Sequence, residues 1–196
     1  MAQLIEPSSG QMPVYGSNDG ALVCPLDTCD FTDYRPTLQA GWFLVRGKRL
    51  FEAGAWDETL FWLWGIQSAK ADFANVGAVS NRHVFNRHAI FPDGGVHILR
   101  DAESAAFIRC ADFRERPSHA DQLHVDLWWR GQNIACDAGT FLYSGQGIWQ
   151  NGLAHTAMHN TVTVDSADQM TWLSRFTWGE RARGRVLRTN ERGWQG

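Results

Sequence analysis

The chain has 196 residues, 44% of them hydrophobic, and a formal net charge of −3 at pH 7. That length holds one large domain or two small ones, with apolar material enough for a core. The charge excludes a whole-protein attraction to nucleic acid or any other polyanion, and no run approaches the roughly 18 apolar residues of a membrane span.

The opening stretch, MAQLIEPSSGQMPVYG, has neither a basic region nor a long apolar one and does not read as a signal peptide. Residues 1–36 are rich in Gly, Pro, Ser, Asn and Asp and read as a long loop, punctuated by GSNDG and CPLDTCDFTDYRP. Cys24 and Cys29 could pair across this loop, although nothing requires it. Cys110 and Cys136 stand in apolar runs and read as buried thiols, and the four cysteines lack zinc-binding spacing.

Residues 36–50 and 57–64 read as helices. Pro36 suits a first turn, and Leu38, Trp42, Val45 and Arg49 fall on one helical face. Asp57 is an N-cap for ETLFWLW, with Gly65 as the stop. This second helix is apolar almost all round and calls for a partner surface. Residues 66–82 are weakly patterned and read as a linker.

From Val84 the texture changes to short strands separated by turn residues: HVFNRHAIF, GGVHILRD and AAFIRCADF, then LHVDLWW, NIACDAGT and TVTV. Such punctuation indicates an antiparallel sandwich or large sheet. In LHVDLWW, Leu123, Val125, Leu127 and Trp129 take one face and His124, Asp126 and Trp128 the other. His124 is expected to point away from the core. The tail, WGERARGRVLRTNERGWQG, shows no clear finishing strand.

The last three runs each carry one metal-ligand type near an end: His119, Asp137 and His159. Antiparallel neighbours are free to bring them together. Two imidazoles and a carboxylate suit Zn²⁺ with an open fourth position; the alternative is that each caps a strand or satisfies a buried polar group. Among the ten tryptophans, Trp42, Trp62 and Trp64 read as core, whereas Trp149, Trp172 and Trp178 have polar flanks suited to a sugar groove. Arg82, His83, Arg87 and His88 form the densest basic cluster, followed by Arg175, Arg181, Arg183, Arg185 and Arg188. Both read most simply as solvated faces.

SHADQLHVDLWWRG, DAGTFLYSG and HNTVTVD, in that order, resemble the C-terminal β-domain signature of the heparinase II/III-like polysaccharide lyases. The resemblance implies that His119, Asp137 and His159 bind a structural zinc. Tyr15–Gly20 is similar to a family loop that precedes the last helices of an α/α toroid. The implied fold is therefore mainly β, an antiparallel β-sandwich or large sheet preceded by a short helical remnant of a toroid. Residues 1–66 are assigned to the remnant, 67–83 to a linker and 84–196 to the β-domain, with the chain expected to be truncated at both ends.

The implied activity is β-elimination of uronic-acid polysaccharide, a glycosaminoglycan or alginate, in the periplasm, at the cell envelope or after secretion. That reaction needs a neutralised carboxylate, a base for the C5 proton and an acid for the leaving oxygen. The family's toroid groups have no counterpart here, and Pro117 stands where many members carry a substrate-facing histidine. The chain is therefore expected to be catalytically incomplete. Tyr143 remains as the candidate base, with Arg116, Trp149 and His155 as substrate contacts. The alternative is a non-catalytic carbohydrate-binding or structural β-remnant. The partner is an acidic polysaccharide, and exposed Phe61, Trp62 and Trp64 favour self-association.

Overall fold

Alternation of apolar residues between 88 and 135 builds the largest element of the protein. A computed structural model describes residues 1–18, 20–73, 85–190 and 193–196. Strands β1 (His88–Phe91), β2 (Val96–Arg100), β3 (Ser104–Arg109), β4 (Val125–Trp129) and β5 (Gln132–Ala135) form one antiparallel sheet in the order β1-β2-β3-β4-β5. Two hairpins follow, β6 (Thr171–Ser174) with β7 (Thr177–Gly179) and β8 (Arg188–Asn190) with β9 (Gly193–Gln195). The described residues are thus mainly β, and the tail does carry a closing strand.

The chain divides into two compact units, Met1–Met12 with Gly20–Asn86, and Pro13–Asp19 with Arg87–Gly196. In the second, Ile98 and Phe107 are paired across β2 and β3 and are almost fully buried. Burial of each contributes about 1.5–3 kcal/mol. The β1–β2 turn closes with Gly95 at φ +62°, and a Cβ there would stand 2.3 Å from that of Ala111. Only glycine fits this approach. A further core gathers Ala111, Phe113, Ala120, Ala154, Met170 and Trp178.

The first unit contains α1 (Arg35–Arg46) and α2 (Glu58–Phe73). Pro36 lies in the first turn of α1, which ends at Gly47 in the left-handed region. Val45 is 74% exposed, so the inward stripe ends at Trp42. Buried Gln39 joins the following loop to α1: its Oε1 accepts the Leu50 and Phe51 amides, and its Nε2 donates to Asp57. In α2 the backbone leaves helical geometry at Gly65 (φ 80°, ψ 167°), the expected stop, and the helix resumes to Phe73. Residues 74–84, including Arg82 and His83, lie outside the described residues.

Three local expectations are overturned. His124, just before β4, and Asp126 and Trp128 within it are buried, whereas Trp129 on the other face is 47% exposed. The buried face is polar because it has polar partners: Asp126 accepts bonds from the Trp128 indole and the Asn133 amide. Residues 161–164 (TVTV) are not a strand, since Val162 and Val164 are largely exposed and only Val164 forms an isolated bridge, to Ala167. Cys136 is exposed, not buried, because β5 ends at Ala135. All four cysteines are free.

Candidate metal centre

The sheet delivers one side of the site and two loops deliver the other. His119 precedes β4, Asp137 follows β5, and His159 leaves a series of short turns. Their ligand atoms lie within 4.8 Å of one another, and all three residues are buried. His159 Nδ1 is 3.0 Å from Asp137 Oδ2, and His119 Nδ1 is 3.9 Å from Asp137 Oδ1. The two imidazole centroids are 5.2 Å apart.

Each ligand is set by its local sequence. Asp137 Oδ1 accepts the Gly139 amide at 2.7 Å, which fixes the carboxylate and leaves Oδ2 directed elsewhere. Gly139 has φ +66°, so the DAG turn needs the freedom of glycine. Asn160 knots the strands beside His159: its amide side chain donates to Val125 O and Cys136 O, and its backbone N–H donates to His124 Nδ1. Thr161 Oγ1 donates to Gln122 O at 2.6 Å. The HNT triplet is thus one candidate ligand followed by two tethers.

Both ring nitrogens of His119 and the Nε2 of His159 are buried without a hydrogen-bond partner among the described residues, and Asp137 Oδ2 has beside it only His159 Nδ1, in poor hydrogen-bond geometry. Leaving such a group unsatisfied costs about 1–3 kcal/mol. A bound cation removes that penalty, and two imidazoles with a carboxylate match the donor set of Zn²⁺. Burial pushes His119 and His124 down to about 4, against the pull of Asp137, so both are neutral near pH 7. Burial also works to raise Asp137, but His159, the Gly139 amide and His119 outweigh it and hold the carboxyl below its usual range. These are the protonation states that ligation needs. Burial lifts neighbouring Asp126 to about 6, with Asn133 and Trp128 opposing.

His119 is also in the wall of an open cleft of about 510 Å³, shared with Tyr15, Arg109, Arg116, Ser118 and Asp121. Arg116 stacks on Phe176 at 5.5 Å, and Tyr143 meets the same ring edge-on at 5.3 Å. Those two candidates therefore share one neighbour. Trp149, 52% exposed, pairs with Phe141. His155 lies against Trp172 and Trp178, and its Nδ1 is 2.6 Å from Asp168 Oδ2. Trp178 is only 5% exposed and serves the core, not a groove, with its indole N–H on Ser118 O. Trp172 is half-buried.

Sequence reasoning missed Asn160, Thr161, Gln122 and Asp168, which act through polar bonds that no periodicity marks. It also left Tyr15 out of the site. Burial pushes the Tyr15 hydroxyl far up, with Asp126 adding to it, so the group stays protonated.

Residues 86–195 match the family model "Heparinase II/III-like, C-terminal". No curated protein matches the chain. Among solved structures, a heparinase III gene product with methylated lysines aligns with TM-score 0.54 and 15% identity over 86% of this chain and 23% of its own. Heparan sulfate lyase HepC from Pedobacter heparinus aligns with TM-score 0.52 and 18% identity over 88% of this chain and 25% of its own. This chain thus spans about a quarter of each of those proteins, and at such identities the likeness is one of fold. Among the described residues, no helix is long and apolar enough to cross a membrane. With the match covering more than half of its residues, the chain belongs to the heparinase II/III-like C-terminal family.

Proposed function

We propose that this chain forms the zinc-organised β-wall of a polysaccharide lyase that cleaves a uronate-containing glycan by β-elimination outside the cytoplasm. The observation that carries the reading is the buried His119–Asp137–His159 set with its unpaired ligand atoms, one member of which reaches the wall of a polar cleft. His119, Asp137 and His159 hold the metal. A bound zinc supplies a cross-link between the β4 approach, the β5 exit and the 159–161 loop. Its role is structural, because its three ligands come from separate segments and the metal ties those segments into one geometry.

Arg116 in the cleft, and Tyr143, Trp149 and His155 outside its lining, act on the sugar. Arg116, exposed and without a carboxylate partner among the described residues, neutralises the uronate. Tyr143, half-buried against Phe176, is the candidate base for the C5 proton. Trp149 and His155 contact flanking sugar rings, His155 with its Nδ1 held by Asp168. Pro117, buried where a proton-transfer side chain would serve, contributes none. The chain alone therefore lacks a full set of positioned groups, and each missing one costs orders of magnitude in rate.

The test is a pair of measurements on the purified chain. Metal analysis should find about one zinc per chain. Incubation with unsulfated and sulfated uronate polymers should show binding, with little formation of unsaturated product. A folded, never-chelated preparation devoid of transition metal sinks the zinc assignment. Robust product formation that Tyr143→Phe abolishes makes Tyr143 the base and ends the view that the chain is incomplete.

A further inference from the structure

We infer that the cleft beside His119 is a subsite for a hydroxyl-rich, singly charged sugar and discriminates against sulfated chains. This deepens the reading above and rests on it, since it presumes that the cleft meets a uronate glycan. A volume of about 510 Å³ lies within the range of ordinary ligand sites.

The inner wall carries unused hydrogen-bonding capacity of mixed sign. The Tyr15 hydroxyl, Asp121 Oδ1 and Arg109 Nε are all buried and have no partner among the described residues. Asp121 is 2% exposed, and its other oxygen lies 3.7 Å from Arg109 Nε, an ion pair too long for a hydrogen bond. Arg109 is held from behind by Gly94 O and by the Tyr15 and Phe113 rings. One group that both gives and takes, one acceptor and one donor match sugar hydroxyls, which also do both. A sulfate oxygen only accepts and would face the Asp121 carboxylate.

The charge of the lining points the same way. Its arginines are Arg109, Arg114 and Arg116. Arg109 faces Asp121, and Arg114 pairs with Asp112 at 3.0 Å. Arg116 is left to neutralise one carboxylate, with exposed Asp93 and Glu115 in the same lining. Within the lining itself three arginines meet four acids, Asp93, Asp112, Glu115 and Asp121, so the lining offers no surplus positive charge to a dense polyanion, although Arg183 beyond it also approaches Asp112 at 3.7 Å.

Calorimetric titration of the zinc-replete 196-residue chain with two tetrasaccharides of equal length tests this, one an unsulfated glucuronate oligomer and one fully sulfated. The unsulfated probe should bind at least about tenfold tighter, the equivalent of one net hydrogen bond. Its affinity should fall little as salt rises from about 0.01 to about 0.15 M, where the screening length shrinks from about 30 to about 8 Å. Tyr15→Phe, which removes only the hydroxyl, should weaken the unsulfated probe about tenfold. Glu115→Lys, on the exposed rim, should tighten the more highly charged sulfated probe by a larger factor than the unsulfated one. Tighter binding of the sulfated probe, or indifference of both probes to Tyr15→Phe, overturns the subsite while leaving the glycan-binding wall intact. Binding of neither probe brings down the wall and the subsite together.

Discussion

Asn160 carries more of the site than its exposed position suggests. Its side chain spans Val125 O and Cys136 O, so it holds the His159 loop against both the β4 and the β5 segments. Asn160→Ala removes those two bonds and keeps the backbone donor to His124. Net loss should be about 1–3 kcal/mol of stability, and zinc affinity should fall about 10–100-fold, as for other residues that orient ligands. A competition titration against a chromogenic chelator reads the affinity directly. By contrast His159→Ala should abolish stoichiometric zinc and lower the melting temperature.

A second residue-scale prediction concerns pH. His97 is 3% exposed with no partner for Nδ1, and burial, reinforced by His88, depresses its pKa. The unfolded chain then binds the extra proton, so stability is full above the ordinary value of about 6.5 and falls as pH drops below it toward the folded-state value. His97→Phe keeps a ring against Trp194 and removes the proton. Chemical denaturation at several pH values between about 7 and 5 should show a shallower slope for this variant. An unchanged slope refutes the assignment.

At the scale of elements, β1 to β5 were legible because alternation and turn residues mark strands wherever neighbours pair. Which face of β4 is inside was not. Alternation divides Val125, Leu127 and Trp129 from His124, Asp126 and Trp128, but only the tertiary partners Asn133, Asn160 and His159 make the polar face the buried one. Likewise 161–164 has strand composition, yet Asn160 and Thr161 spend their bonds as tethers, and the valines stay in solvent. The ligands were read from motif resemblance; spacing alone left them open. The β1–β2 turn supplies the prediction at this scale. Gly95→Ala meets both a left-handed backbone, costing about 1–2 kcal/mol, and a collision with Ala111. It should destabilise the sheet by more than the backbone term alone, whereas Gly193→Ala, with open space around it, should be nearly neutral in thermal melts.

On the scale of the whole molecule, the boundary between units is not a single point in the chain. The loop Pro13–Asp19 belongs with the β-unit, although the segments on either side of it, Met1–Met12 and Gly20–Asn86, form the other unit. Gly16, at φ +69°, comes within 3.1 Å of Ser118 Cβ when a Cβ is built on it, and the Asn18 amide donates to Thr140. No composition shift announces this. A chain beginning at residue 84 should therefore fold less stably than the 196-residue chain and lack the Tyr15 side of the cleft. Adding a synthetic peptide of residues 13–19 in excess should restore part of the lost melting temperature by mass action.

That returning loop also sets an order of events during synthesis. Asn18 and its partner Thr140 are separated by 122 positions, and a ribosome adding about 5–20 residues per second needs about 6–24 s to cover that distance. Throughout that interval the loop has emerged and its receptor has not. The two helices that follow the loop can form from local contacts, but the Asn18–Thr140 bond can form only after the DAG turn leaves the tunnel. The β-unit is thus completed by a segment made well before the strands and turns it joins.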